Sequence, residues 1–104
     1  MQNLEIQKKA LANLFRQSKN SPQLMQLLED LLTPAEIEKI YERVKIIDCL
    51  DQNLSQRKTL AKTGAAIATI SRGAMLLQKH QVQLAKLVKI SRKYTWWHTL
   101  FWCV

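Results

Sequence analysis

The stretch Ser55-Gln56-Arg57-Lys58-Thr59-Leu60-Ala61-Lys62-Thr63-Gly64-Ala65-Ala66-Ile67-Ala68-Thr69-Ile70-Ser71-Arg72-Gly73 reads as two short helices joined by a glycine turn, the outline of a helix-turn-helix. Ser55 is a residue type that caps a helix N-terminus, and Leu60 with Ala61 gives the first helix a buried side. Gly64 accepts the left-handed conformation that a tight turn between helices demands. The second helix then opens on small residues, Ala65, Ala66, Ile67 and Ala68. A helix that enters the DNA major groove needs such a slim leading end, because bulky side chains there hold the backbone away from the base edges. The same pattern also fits an ordinary helical hairpin in a core.

Charge separates these two readings. Residues 1 to 52 carry seven Lys or Arg against eight Asp or Glu, whereas residues 53 to 104 carry nine Lys or Arg and no acid, so the net charge of +8 arises entirely in the second half. Solubility alone favours mixed charge, so an acid-free half that contains the motif points to a polyanionic partner. Nucleic acid is the first candidate and an anionic membrane surface the second. The bland alternative for Lys86, Lys89, Arg92 and Lys93 is the solvated face of a last helix.

A chain of 104 residues forms one domain of modest core, which an oligomer would supplement by covering apolar surface. Two glycines and two prolines among so many residues point to an all-α protein. The residues at the start of the chain are polar, and no apolar run approaches the ~20 residues of a membrane-spanning helix, so neither a signal peptide nor a spanning segment is expected. A membrane partner is the less favoured reading, in which the basic last helix and the tryptophan-rich tail would serve a peripheral membrane or partner-helix adaptor. Cys49 and Cys103 lack metal-ligand spacing and are too few for a disulfide framework, which fits a reducing, cytoplasmic setting and no metal.

Leu4, Ala10, Leu11, Leu14 and Phe15 recur at helical spacing and predict a first helix ending near Asn20. Ser21 would cap a second helix with Pro22 at its first position, followed by Leu24, Leu27, Leu28, Leu31 and Leu32. Thr33-Pro34-Ala35-Glu36 has the form of a capping box and opens a long third helix along Ile37, Ile40, Tyr41, Val44, Ile47 and Leu50. Asp51-Gln52-Asn53 breaks that helix, and Val82, Leu84, Leu87, Val88 and Ile90 predict a final one. Five to six short helices with this much leucine make a poor self-contained bundle, so an intertwined homodimer is expected. Residues 1–94 form this unit, and residues 95–104 form an aromatic tail holding Trp96, Trp97, Phe101 and Trp102. The tail reads either as an interfacial anchor or as an extension that packs on the dimer or is loosely ordered.

From Leu24 to Leu77 the chain resembles the bacterial tryptophan repressor family. The resemblance rests on Leu31-Leu32-Thr33-Pro34, Glu36, Arg43-Val44-Lys45-Ile46, Ser55-Gln56-Arg57 and Ile67-Ala68-Thr69-Ile70-Ser71-Arg72-Gly73, in that order and at near-identical spacing. It implies an interlaced helical homodimer that represses transcription by occupying a double-stranded DNA operator when L-tryptophan is bound. Arg43 and Arg72 would sandwich the indole, with Arg72 also gripping the carboxylate. The backbone carbonyls of Asp30 and Leu32 from the other subunit would receive the ammonium, and Thr33, Thr69 and Gly73 would line the pocket. DNA contacts would fall on Gln56, Arg57, Ala66, Ile67, Ala68 and Ser71, with Lys58 and Lys62 as phosphate anchors. On spacing alone, Arg43 reads as one half of a surface ion pair.

Three departures accompany the resemblance. Ala74-Met75-Leu76 stands where the family carries a polar Ser-Asn-Ser or close equivalent, so the hydroxyl that would meet the ligand ammonium falls at Leu76. One residue fewer separates Arg43 from Ser55, and Leu60 stands where the family can place a charged residue. The effector is then either L-tryptophan, an indole carboxylate without the amino group, or none, with Met75 and Leu76 filling the pocket. An enzyme is not expected, because neither His80 nor His98 has a cysteine or carboxylate at useful spacing.

Overall fold

Capping chemistry sets the helix boundaries. The computed structural model describes residues 3–79 and 83–92, and among them every regular element is an α-helix: α1 (Leu4–Arg16), α2 (Ser21–Leu31), α3 (Pro34–Asp51), α4 (Gln56–Thr63), α5 (Ile67–Gln78) and α6 (Gln83–Ser91). The calls on residues 95–104, on Val82, on Lys93 and on both histidines lie outside the described residues.

α1 stops at Arg16, earlier than the apolar spacing predicts, because Asn20 is committed to the next helix. Asn20, not Ser21, caps α2: its side chain accepts from Gln23 N at 3.0 Å, while Gln23 Oε1 accepts from Lys19 N at 2.8 Å. The Thr33 capping box forms as expected, with Glu36 N donating to Thr33 Oγ1 at 3.2 Å and Thr33 N donating to Glu36 Oε1 at 2.9 Å. These bonds to Thr33 hold the Glu36 carboxyl below its ordinary pKa of 4.5. α3 ends in a Schellman motif that the sequence reading registered only as a break: Asn53 takes φ 69°, its N–H donates to Leu50 O, and Leu54 N donates to Cys49 O.

The chain divides into two compact units, Met1–Ile37 and Glu38–Val104. In the first, α1 and α2 bury no residue, and Leu4, Ile6, Met25 and Leu31 are exposed.

In the second unit α3 is the spine. Adjacent residues on a helix point about 100° apart, and α3 uses this to serve two clusters. Ile46 packs with Ala65 and Ile70, joined by Leu50 and Leu60. Ile47 packs with Ala85 and Val88, joined by Val44, Leu76, Leu77 and Leu84. The buried side of α4 differs from expectation: Ala61 is exposed and Leu60 half-buried, while Thr59 is completely buried. Ile40 and Tyr41 of α3 are exposed too, so its buried stretch starts at Ile46. Cys49 is completely buried and carries no free thiol, so the reduced thiol expected there does not hold.

One charged residue sits in this core. Asp48 is 1 % exposed, and Arg92 from the end of α6 meets it through Nε. Arg92 Nη2 also reaches Asp51 Oδ2 at 2.9 Å and Asp48 O at 3.3 Å. Gln52 Nε2 donates to Asp48 Oδ1 at 3.1 Å, and Lys89 lies 3.6 Å from Asp51. Burial pulls the Arg92 pKa down, but the hydrogen bonds to Asp48 and Asp51 outweigh it and raise it above the ordinary arginine value. No helix among the described residues is long and apolar enough to cross a membrane.

The two glycines are required for different reasons. Gly64 adopts φ 68° with open space around it, whereas a Cβ on Gly73 would lie 2.8 Å from Ile46 Cγ2. Gly64→Ala is expected to cost about 1–2 kcal/mol through left-handed strain, with Gly64→Asn costing less. Gly73→Ala is expected to cost about 1–3 kcal/mol by overpacking, because Ile46 is fully buried and cannot yield. Urea denaturation of the three variants checks both. Thr59→Val is expected to raise the thermal midpoint, since Thr59 Oγ1 is buried with no hydrogen-bond partner among the described residues.

Candidate functional site

The α4–α5 turn is held by three sets of bonds. Ser55 Oγ accepts from Lys58 N at 3.1 Å and starts α4. At its other end Gly64 N donates to Leu60 O at 2.8 Å. Thr63 adds a brace that spacing did not reveal, its hydroxyl donating to Thr59 O at 2.8 Å and accepting from Ala65 N at 3.2 Å. Ala65 is buried beneath the turn, so α5 begins at Ile67 and not at Ala65.

Ala66 occupies the α5 N-cap in an extended conformation and offers no side-chain cap. The first amides of a helix have no intrahelical carbonyl to bond, and they carry the positive end of its dipole. That leading end is clear of bulk. Ala66 and Ala68 are small and exposed, and Ile67 is 66 % exposed.

Gln56, Arg57, Lys58 and Lys62 on α4 are all exposed. Ser71 is half-buried, and its hydroxyl donates to Gln56 Oε1 at 3.4 Å, tying the start of α4 to the face of α5. Between the two helices lies a groove of about 210 Å³ lined by Gln56, Arg57, Leu60, Ile67 and Ile70. Leu60 therefore lies in an apolar groove floor and adds no charge to this face.

The basic surface is narrower than residue counts predict. Lys89 and Arg92 are engaged by Asp51 and Asp48, so these two do not form a free cationic face on α6. Among the described residues Arg43, Arg57, Lys58 and Arg72 make no ion pair. The surface pair anticipated for Arg43 is therefore not formed.

A second feature lies behind α5. Arg43, Ile46 and Ile47 of α3, Thr69, Arg72, Gly73 and Leu76 of α5, and Leu84 of α6 enclose an open cavity of about 100 Å³. On α5 the lining positions recur at three- and four-residue intervals, which places them on one helical face. Both arginines stand at the cavity and no acid lines it. Leu76 forms part of the wall, while Met75 is 66 % exposed and does not, so Met75 does not fill the space.

Asp30, Leu32 and Thr33 belong to the first unit. The Asp30 carboxylate accepts from Gln26 Nε2 at 2.9 Å, Leu32 is the α2 C-cap, and Thr33 is committed to its capping box.

A family model described as Trp repressor protein matches residues 7–91. A Trp operon repressor homolog from Vibrio parahaemolyticus is 39% identical over 79 residues, covering 74% of this chain and 77% of that protein. One from Aliivibrio fischeri (strain MJ11) is 36% identical over 88 residues, covering 80% and 78%. One from Xylella fastidiosa (strain 9a5c) is 38% identical over 66 residues, covering 62% and 72%. No solved structure gives a significant match.

The cavity is smaller than the ~150 Å³ apolar void that accommodates benzene, so a bicyclic ring enters only if a wall side chain moves or part of it remains in the mouth. Leu76→Ala is expected to lower stability by about 2 kcal/mol and to raise affinity for indole itself. Calorimetric titration with indole checks this.

Proposed function

The chain belongs to the Trp repressor family, and on that premise we propose that it is a homodimeric, sequence-specific DNA-binding repressor whose operator affinity is set by an indole ligand. The observation that carries the reading is the pairing of two sites on α5. Its leading end at Ala66, Ile67 and Ala68 is slim and exposed, and the face behind it lines a cavity bearing Arg43 and Arg72.

In this reading α5 is the recognition helix. Arg57 is suited to a bidentate contact with guanine, Gln56 and Ser71 to polar base or water contacts, and Ile67 and Ala68 to apolar contact. Water-mediated base reading is a known trait of this family's operator complex. Lys58 and Lys62 hold phosphates, and the uncapped amides of α5 favour an anion in the same place.

The ligand biases the position of α5. A planar ring between the Arg43 and Arg72 guanidiniums, with its carboxylate on Arg72, would press on Thr69 and Gly73 and shift the helix relative to α3. Such a ligand changes operator affinity only through its preference for the DNA-competent position. Two α5 helices about 34 Å apart then fit successive major grooves of a palindrome.

The dimer follows from unsatisfied apolar surface. α1 and α2 bury no residue, and α6 exposes Leu87 and Ile90. In the dimer the partner's α2 C-terminus would bring the carbonyls of Asp30 and Leu32 to the ligand ammonium, with Thr33 beside them; a helix C-terminus carries the partial negative charge for that role. Leu76 and the acid-free lining favour a second ligand, an indole carboxylate without the amino group. Cytoplasmic location fits a DNA-bound partner.

The test is binding to a tryptophan-operator-like palindrome and to a scrambled duplex at fixed salt, with L-tryptophan, with indole-3-propionate and with neither. Sharpening of the palindrome preference by either ligand supports indole control, and equal binding to both duplexes under all conditions refutes the operator assignment. Arg57→Ala is expected to lose about 1–3 kcal/mol of discrimination at one base pair. Lys58→Ala is expected to weaken both duplexes alike and to reduce the salt slope by about 1. Uniform weakening by Arg57→Ala would contradict its role as a base reader.

A further inference from the structure

α6 has nine residues, of which only Ala85 and Val88 are buried. A helix so short does not persist in water by itself. Yet its first turn supplies Leu84 to the wall of the cavity. Two small apolar side chains press α6 against Ile47 and its neighbours, but apolar contact is non-directional and does not determine where along α3 the helix sits.

The directional attachment is at the opposite end. Arg92 follows α6 directly, and its guanidinium meets three acceptors of α3: the Asp48 carboxylate through Nε, and Asp51 Oδ2 and the Asp48 carbonyl through Nη2. A planar fork gripping acceptors on successive turns of one helix specifies both height and rotation, which a flexible ammonium does not. Gln52 Nε2 donates to the same carboxylate oxygen, Asp48 Oδ1. Asp48 follows Ile47 in the chain, so the clamp begins one residue beyond the cavity wall. Leu84 and Arg92 are eight residues apart, about 12 Å along a helix.

We propose that Arg92 is a positioning residue for the ligand cavity: through Asp48 and Asp51 it holds α6 in the register that presents Leu84 to the ligand, without touching the ligand itself. The inference rests on the indole-site reading above. Buried Asp48 makes the device stringent, because losing Arg92 leaves a carboxylate that must regain water, and water enters between α3 and α6.

The full-length protein with Arg92→Met, Arg92→Lys and Asp51→Asn tests it by three readouts. These are hydrogen exchange of α4 and α6 amides, calorimetric affinity for indole-3-propionate and L-tryptophan, and low-salt binding to a scrambled duplex. Arg92→Met is expected to speed exchange in α6 but not α4, and to weaken whichever indole probe binds the parent by about tenfold or more. Scrambled-duplex binding stays within about threefold, because α4 and α5 carry it. Arg92→Lys recovers part of the lost affinity, and Asp51→Asn, which keeps the Asp48 contact, gives a smaller loss. Unchanged probe affinity in Arg92→Met overturns the proposal. If Arg92→Met exposes α4 and α6 together, Asp51→Asn decides: graded loss of affinity with α4 intact supports the proposal, and unchanged affinity overturns it. If the parent binds neither probe the indole reading fails, and selective opening of α6 in Arg92→Met then supports the clamp while uniform opening overturns it.

Discussion

Gly73 presents a hydrogen where any other residue would carry a carbon, and the Ile46 Cγ2 methyl lies only 2.8 Å from the position that carbon would take. That approach brings α5 against α3 closely enough for Ile46 to share a cluster with Ala65 and Ile70, so it seats the whole helix-turn-helix. It also leaves Arg72, one residue earlier, on the same cavity as Arg43. A seat this tight has little free volume, so under the proposed indole reading a ligand entering beside it would press on α5. The glycine thus links packing to the cavity: the close approach that seats α5 on α3 also sets Arg72 beside Arg43.

The same spine distributes charge. α3 spends Asp48 and Asp51 on Arg92 and Lys89, the cations at the end of α6. The exposed cations of the helix-turn-helix are Arg57, Lys58 and Lys62 on α4 and Arg72 on α5. A stretch of chain with no acid of its own is thereby partly neutralised by acids from the other half.

Much of the local structure was legible because it is written in short-range chemistry. Thr33 with Glu36, Ser55, and the Gly64 turn all act over three or four residues, and all form as the residue types predict. Errors at this level were shifts between neighbours with similar capacity: Asn20 outcompetes Ser21 for the α2 cap because its longer carboxamide reaches Gln23 N from an extended backbone. Asn53 and Thr63 were missed for a related reason, since turn-forming roles of Asn and Thr depend on backbone angles that residue type alone leaves open.

Sequence by itself determined the helical class, the five to six short helices, the glycine turn and the asymmetry of charge, because periodicity, caps and composition are properties of neighbours along the chain. It also carried the family resemblance through residues that keep their order and spacing. Only the tertiary structure decided that Thr59 and not Ala61 is buried, that Met75 points away from the cavity while Leu76 lines it, and that Arg92 belongs to a clamp and not to a DNA-seeking surface. The physical reason is distance along the chain: Arg92 meets Asp48 and Asp51 across 44 and 41 residues. No local period encodes which of several exposed-looking cations will find a buried acid once the helices pack.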